Sequence, residues 1–564
     1  MSESINPMNI VKVIDNRLTA GRINEYAIEQ GASSITYRAY PSSNLSTSNL
    51  TFNNINPPSS ETFVDRTVYC QVKYQVNFIG TCPVGTNLLD GWGYDVAPRA
   101  LPVNNSFKSL VVSINGSNFT QDQNDILPAL NRIHFEKLKS YLSQSPTVLD
   151  NCQKYSEGVG SNANVLASTQ NGTTAGVPAR GGFEGVEILT NTPTSASIIL
   201  TATEPLIISP LNYDDVTGHA RAFFNVSTFQ VNANFDPQLA ERILSVSNTA
   251  TSAFTNITAS PLASNIYFGY YSSKLLQNLP QVVSYPWYPT TRFIQSGLVL
   301  APNATTTLNM NNVQLSSIPK KLYLMIKPTR SSYNISQTDT FARIDNVSIQ
   351  FGNRASLLAN CDSNQLYGIS KRNGVDLDYS NWYGSTSYSK PRNWSGVGSI
   401  LAISPMKDLG LSELYTSGTS STIQVQIQVT YTNIQPLGSA PLAYDAYFIA
   451  IDDGLITIPG PNVCLQQSSV VAPKDLVHAH LLEPKYTSQD VLSYEGGSFF
   501  SDIKDFFSKP VWKDIWNVTK TVAPYIAPLI GLGETGGRLK QQRVGAGLVG
   551  GKKISKKKLL ELMK

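Results

Sequence analysis

The residues best suited to chemistry lie at the end of the chain, where positive charge is concentrated. From Arg538 to Lys564 nine basic residues accompany one acid, Glu561, so this segment carries +8. Subtracting +8 from the whole-chain charge of +4 leaves about −4 for the preceding residues. Such a Gly-rich cationic segment can neutralise nucleic-acid phosphates without reading base sequence, although a solvated tail without a ligand has the same composition. The candidate nucleic-acid-binding residues are Arg538, Lys540, Arg543, Lys552, Lys553, Lys556, Lys557 and Lys558.

An aromatic, amphipathic segment, residues 498–533, precedes this tail. If it is helical, apolar side chains before and after Pro510 each gather on one face of the helix. Helices of this kind favour the membrane interface, but the same pattern suits a helix packed inside an assembly, and both interpretations stay open. The candidate membrane-active residues are Phe499, Phe500, Ile503, Phe506, Phe507, Trp512, Ile515 and Trp516.

Patterns typical of an enzyme or a metal site are weak. His478, His480 and Glu483 lie close together but lack a fourth ligand, so a solvated linker is favoured over a metal site. The Gly-x-Gly-x-x-Gly pattern at residues 545–550 follows no strand and leaves too little chain for a dinucleotide-binding unit. We therefore expect no enzyme activity, no catalytic residue, no metal and no cofactor.

The composition is typical of a large β-protein. The chain has 564 residues, only 15% of them charged, and short β-branched and aromatic runs alternate with turn-forming residues. Its length favours two large domains. Five scattered cysteines favour a reducing compartment over a disulfide framework. The polar first residues do not resemble a signal peptide, and the apolar residues 522–533 are too few to span a bilayer.

An alternation of apolar and polar residues predicts the strands of the fold. It is clearest at residues 68–78 and 423–431, where apolar residues occupy every second position. A last strand pair is predicted within residues 447–458, around Asp452 and Asp453. The other candidate strands are residues 35–40, 50–52, 110–114, 197–208, 223–235, 266–271, 306–315, 322–326 and 347–351.

A strand, a glycine turn and a helix occur twice along the chain. The strand end at residues 112–116 is echoed at residues 347–352. Asp125 and Asp362 then mark the predicted helix starts. A long polar loop follows each helix, at residues 158–182 and 376–394. The repeat predicts two tandem β-units of similar plan, such as Greek-key sandwiches.

This duplicated plan resembles the double jelly-roll major capsid proteins of DNA viruses, in particular the hexon-like proteins of virophages and of polinton- and adintovirus-type elements. The resemblance covers roughly residues 34–465 and includes the segments 113–116, 178–182 and 204–206. It implies a mainly β fold of two upright jelly-roll β-sandwiches with short inserted helices. It also implies a homotrimer that forms a pseudo-hexagonal capsomer of an icosahedral capsid, with other capsid proteins as partners. The virion would be its location and the host cell interior its place of assembly.

The predicted organisation has six parts, of which the last two form a helical and disordered C-terminal tail. They are an N-terminal arm (1–33), a first jelly roll (34–238), a second jelly roll (239–470), a linker (471–497), the amphipathic segment (498–533) and the Gly-rich basic tail (534–564).

Two glycine pairs flank this tail region and suggest processing. Residues 548–551 are similar to the aliphatic-x-Gly-Gly sites cut by adenovirus-type maturation proteases, and residues 494–497 are a looser version. Gly497 and Gly551 are therefore candidate cleavage positions, although glycine pairs also serve as plain linkers. Cleavage after Gly497 would release a membrane-active, basic peptide.

Two other functions fit part of the sequence. The first is a minor capsid or spike protein of the virion. The second is a carbohydrate-binding β-sandwich surface protein that uses the aromatic residues of 286–289 and 381–394, which otherwise fit packing between subunits. A signal peptide and paired cysteines would favour the second, and the sequence shows neither.

Overall fold

The computed structural model describes residues 32–59, 62–90, 92, 96–133, 149–150, 153, 183–211, 222–246, 253–272, 283–384, 396–411 and 417–468. These described residues fold into antiparallel sheets that form two jelly-roll β-sandwiches with short inserted helices. The mainly β fold expected from the sequence is thus confirmed. The predicted helical and disordered tail lies outside the described residues.

The strands and helices are numbered here in chain order. The strands are β1 (Ser34–Pro41), β2 (Asn44–Leu45), β3 (Asn49–Ile55), β4 (Phe63–Asp65), β5 (Tyr69–Thr81), β6 (Val96–Pro98), β7 (Phe107–Ile114), β8 (Ser117–Gln121), β9 (Phe183–Asn191), β10 (Ser195–Pro205), β11 (Ala222–Phe223), β12 (Phe229–Phe235), β13 (Leu244–Val246), β14 (Ala253–Ser272), β15 (Val283–Trp287), β16 (Thr290–Leu300), β17 (Thr305–Ser317), β18 (Lys321–Pro328), β19 (Arg343–Phe351), β20 (Arg354–Leu357), β21 (Ile400–Ile403), β22 (Ser420–Thr432), β23 (Leu442–Ile451), β24 (Gly454–Gly460) and β25 (Val463–Gln467). The helices are α1 (Pro102–Ser106), α2 (Gln123–Leu130), α3 (Leu239–Ile243), α4 (Ser363–Arg372), α5 (Tyr379–Tyr383) and α6 (Pro405–Asp408), and a 3₁₀ turn spans Arg330–Ser332.

The two sandwiches have the same strand order. In the first, β1–β14–β5–β10 form one sheet and β3–β12–β7–β8 the other. In the second, β16–β23–β18–β21 face β17–β22–β19–β20. Alternate residues of β5 and β22 are buried, as their sequence pattern predicts. The repeat read from the sequence therefore reflects a duplicated architecture.

The repeated strand end is a hairpin in both sandwiches. Asn115 and Gly116 adopt φ of 47° and 82° between β7 and β8, the left-handed pair that a tight two-residue hairpin requires. Gly352, at φ 57°, turns β19 into β20. Helix α4 then begins at a capping box between Asp362 and Gln365, as the sequence predicts.

The other predicted helix start is wrong by one turn. Helix α2 begins at Gln123, with Asp122 at the N-cap position, so Asp125 lies in its first turn. The Asp125 carboxylate does not cap the helix because it binds Lys327 of the second sandwich. The rest of that predicted helix, from His134 onward, lies outside the described residues.

The first sandwich extends beyond the domain boundary that was expected from the sequence. Strand β14 pairs with β5 along residues 253–267 and buries Ile266 and Phe268 in the first core. The boundary expected at residues 238 and 239 is therefore too early, because the first sandwich's sheet is incomplete without β14.

The two strands predicted around Asp452 and Asp453 are present as β23 and β24, but they do not pair with each other. Strand β23 lies between β16 and β18, whereas β24 pairs with β15 and β25 in a separate three-stranded sheet. Tyr285, Ile456 and Ile458 of that small sheet belong to the first core. The second half of the chain thus returns to cover the first sandwich.

Candidate functional site at the seam between the sandwiches

Helix α2 of the first sandwich lies on the outer face of the second sandwich's sheet. Adjacent strands place Ile294, Tyr447 and Met325 side by side on that face, opposite the side chains that fill the sandwich interior. Ile126 and Ala129 of α2 belong to the same buried cluster as Met325 and Tyr447. The two sandwiches therefore share an apolar contact, which we call the seam.

A cleft of about 490 Å³ opens along the seam and is lined by opposite charges from the two sandwiches. Arg292 Nε lies 2.6 Å from Asp122 Oδ2, and its Nη1 contacts Asp125. Lys327 Nζ lies 3.1 Å from Asp125 Oδ1 and donates a hydrogen bond of 2.8 Å to the Asn124 carbonyl. These pairs fix the position of α2 on the sheet, because a half-buried ion pair tolerates little displacement.

The pKa of the Lys327 ammonium is lowered from 10.5 to about 7. Burial is the largest cause, the charges of Arg242, Arg330 and Arg292 act in the same direction, and the charge of Asp339 opposes them. The ammonium lies 4.3 Å from the centre of the Tyr447 ring, which favours its charged form through a cation–π contact. Lys327 is thus a seam group that can change its charge near neutral pH.

A second ion pair, between Arg242 and Asp339, joins the two sandwiches deeper in the structure. Arg242 Nη1 lies 2.8 Å from Asp339 Oδ1, which also accepts a hydrogen bond of 3.0 Å from the Tyr333 hydroxyl. Burial raises the pKa of Asp339, but the charges of Arg242 and Arg99 outweigh it and hold that pKa well below its usual value. The pair therefore stays ionised around neutral pH.

The turn at residues 204–206 has a structural role. The buried Glu204 carboxylate accepts hydrogen bonds from the backbone N–H groups of Val103 and Asn104, at 3.0 and 2.9 Å, and from Asn104 Nδ2 at 2.9 Å. Burial raises the pKa of Glu204 to about 7, although these bonds act in the opposite direction. Glu204 ties α1 to the end of β10.

Trp382 and Trp287, two of the aromatic residues considered for sugar binding, pack against other parts of the protein. Trp382 is fully buried, and its Nε1–H donates to the Ile400 carbonyl at 2.8 Å. Trp287 is half-buried and meets the Phe119 ring edge-on, with 5.4 Å between centroids. Trp382 therefore contributes neither a sugar platform nor a contact between subunits. Trp394 lies outside the described residues.

The paired aspartates that follow β23 bind side chains of the neighbouring turn. Asp452 Oδ1 accepts a hydrogen bond of 2.7 Å from Ser317, and Asp453 Oδ1 lies 3.4 Å from Lys320 Nζ. Both aspartates thus connect β23 to the turn around β17 and β18, which is a structural role.

The candidate nucleic-acid-binding residues, the candidate membrane-active residues and both cleavage positions, Gly497 and Gly551, lie outside the described residues. So do His478 and His480. Within the described ranges, no helix is both long and apolar enough to cross a bilayer.

The seam was missed by reasoning from the sequence. Asp122 and Asp125 are three residues apart, as on an ordinary solvated helix face, and Arg292 and Lys327 stand at outward strand positions. The only signal in the sequence is the low overall charge. Because only 15% of the residues are charged, a charged residue is less expected by chance at any one position.

Comparisons with known proteins match nearly the whole described fold. A family profile described as the first domain of the Sputnik virophage major capsid protein matches residues 7–279, and one described as the C-terminal domain of major capsid protein V20 matches residues 285–454. The V20 capsid protein of Sputnik virophage is 29% identical over 532 residues, which are 90% of this chain and 88% of that protein.

Solved structures agree with these sequence matches. A chain in the cryo-EM structure of the Sputnik virophage is 27% identical, with a TM-score of 0.77 over 87% of this chain and 99% of that chain. The mavirus major capsid protein has the same fold, with a TM-score of 0.68 over 86% of this chain and 100% of that one, at 16% identity.

Proposed function

The chain belongs to the virophage major capsid protein family, and on that premise we propose that three copies close into a pseudo-hexagonal capsomer that tiles an icosahedral shell. It is a structural protein rather than an enzyme, as its relatives are. One observation carries the capsomer proposal. Each chain holds two sandwiches of the same strand order, so a ring of three chains presents six similar units.

The oligomeric state tests this function directly. Purified full-length protein should have three times the 61.5 kDa chain mass in light scattering, and it should form hexagonal arrays in negative-stain images. A stable monomer that binds glycans would contradict the proposal. The minor capsid and spike alternatives are not favoured, because both matching profiles describe major capsid proteins.

We also propose that the capsid assembles inside the infected cell and that the basic tail contacts the viral nucleic acid within the particle. Its +8 charge supports this, since each phosphate contact releases a counterion. The full chain should bind DNA more tightly than a chain that ends at residue 537. Its binding should weaken steeply as the salt concentration rises. Equal binding by both chains would remove this assignment.

The amphipathic segment 498–533 is proposed to contact membrane when it is exposed during entry. A peptide of this sequence should release dye from liposomes, whereas a variant with Phe506 and Phe507 changed to serine should release much less. Absence of leakage at any pH leaves internal packing as the role of the segment.

Processing after Gly497 or Gly551 is the remaining proposal for the tail, supported by the likeness of residues 548–551 to maturation-protease sites. Intact mass spectrometry of particles should detect chains ending at one of these glycines. Only full chains to Lys564 would contradict it.

A further inference from the structure

Strand β9 is an additional strand at the edge of the first sandwich. It pairs with β10, and its second edge meets no other strand among the described residues. In the second sandwich the equivalent sheet ends at β21, whose four residues are all buried. The duplicated plan of the two sandwiches therefore does not require β9.

Strand β9 is exposed on both of its faces. All side chains of residues 186–190 are exposed, although three of them are apolar. Val186 and Ile188 pair with Leu200 and Ile198 of β10, which are fully buried, so the two side chains point to the core side of the sheet. They are nevertheless 42% and 55% exposed. The facing sheet thus covers β10 but not β9.

An apolar edge strand of this kind favours pairing with a further strand. Backbone N–H and C=O groups along the second edge of such a strand can extend the sheet by another strand. Edges that stay unpaired in native proteins are typically short or carry lysine or proline. Strand β9 has nine residues, with neither lysine nor proline among them.

The family to which the chain belongs makes a second copy of the chain the expected partner. A sheet that continues from one copy to the next keeps its core side on one side, so exposed apolar residues must match face to face. Tyr37 of β1, Ile294 of β16 and Leu465 of β25 lie on the outer faces of their sheets, beside outward positions of the neighbouring strands. The apolar pair of β9 lies on the core side instead. The described edge that matches β9 is therefore β9 of another copy.

We propose that β9 pairs antiparallel with β9 of a second copy across a two-fold axis, so that the two first sandwiches share one continuous sheet. A register centred on Glu187 places Val186 of each copy beside Ile188 of the other, on the core side. The same register sets the two Glu187 carboxylates opposite each other on the outer face. Their repulsion weakens the contact and keeps it reversible.

The symmetry of this contact places it between capsomers. Because both copies use the same surface, the contact is isologous, whereas the contacts that close a ring of three chains are heterologous. Pairing of β9 therefore joins two trimers at a two-fold axis, and every icosahedral shell contains such axes. The inference rests on the proposed capsomer and names one surface through which capsomers meet.

Two substitutions in β9 of the full-length chain should change the contact in opposite directions. Ile188→Ser removes apolar area from both copies and should weaken the association of trimers roughly tenfold or more. Glu187→Gln removes the repulsion and should strengthen it roughly twofold to fivefold. Mass photometry across a dilution series measures both effects, as the fraction of particles heavier than a trimer.

Ile79→Ser is the matched control for Ile188→Ser. Ile79 is 53% exposed on the same sheet, but its strand β5 lies between β10 and β14 and offers no edge. Trimers of this variant should associate like those of the wild type.

A disulfide tests the register directly. Position 187 lies opposite itself in the proposed pair, so oxidised Glu187→Cys should give a band at twice the 61.5 kDa chain mass on a denaturing gel. Ile79→Cys controls for an added exposed thiol, and the wild type accounts for the five native cysteines. A band no stronger than in these two controls overturns the register.

The outcomes separate this inference from the capsomer proposal. A wild type that never forms trimers contradicts the proposed function itself. Trimers of Ile188→Ser that associate as readily as those of Ile79→Ser overturn the role of β9, and an Ile188→Ser variant that is no longer trimeric overturns its place between capsomers. Wild-type trimers that do not associate, or do so only after Glu187→Gln, show that Glu187 keeps the edge unpaired and also overturn the proposal. Circular dichroism and thermal melting should show that all variants are folded.

Discussion

We expect Lys327 to contribute a term to the stability of the protein that rises with pH around neutrality. Its folded-state pKa is about 7, below the ordinary 10.5 that it regains on unfolding. Between these values the unfolded chain binds more protons than the folded chain, so the free energy of unfolding increases as pH rises. From pH 6 to pH 8 the folded ammonium goes from mostly charged to mostly neutral, which contributes on the order of 1 kcal/mol.

Replacing Lys327 by methionine isolates this contribution. The variant keeps an apolar stem of similar length, and Arg292 remains to pair with Asp125. The charged groups that face Lys327 are the same in both proteins, so the difference between the two pH profiles belongs to the lysine. They are Asp125, Arg242, Arg292, Arg330, Asp339 and Asp445.

Urea unfolding at pH 6, 7 and 8, followed by tryptophan fluorescence, measures the difference. The free energy of unfolding of the wild type should rise by on the order of 1 kcal/mol more than that of Lys327→Met, since all other titrating groups cancel between the two proteins. Lys371→Met, which removes a half-exposed partner of Asp376, should follow the wild type. The same pH dependence in wild type and Lys327→Met would refute the reasoning.

Three further changes test the fold and the seam. Asp339→Asn leaves the buried Arg242 without its carboxylate partner and should lower the free energy of unfolding in urea by about 3–5 kcal/mol. A small loss would show that the Arg242–Asp339 pair is solvated. Trp382→Phe removes the hydrogen bond to the Ile400 carbonyl and part of the core volume, so it should cost about 1–3 kcal/mol; glycan-array signals lost with it would instead favour a sugar site. Asp362→Ala removes the α4 cap and should cost about 1 kcal/mol, with Asp362→Asn, which still caps, as its control.

Local signals predicted the elements whose environment is simple. Strand β5 alternates because one face is buried and the other is not, and α4 is marked by its capping box. Strand β14 was not predicted over most of its length because Pro261 and two register shifts interrupt its alternation of apolar and polar residues. Helix α2 was misplaced because its charges face another sandwich rather than water. The pairing of β24 with β15 joins residues far apart in sequence, which periodicity cannot reveal.

The chemistry of the seam suits a contact within one chain for a physical reason. The seam joins parts of one chain, so covalent connection keeps its halves at high effective concentration, and it needs little affinity of its own. It can therefore hold half-buried ion pairs such as Lys327 with Asp125, which add little net stability but fix one position. A contact between chains must overcome lost translational freedom and gains most from buried aromatic area. Charged pairs that fix a position are therefore better placed at the seam than at a contact between copies.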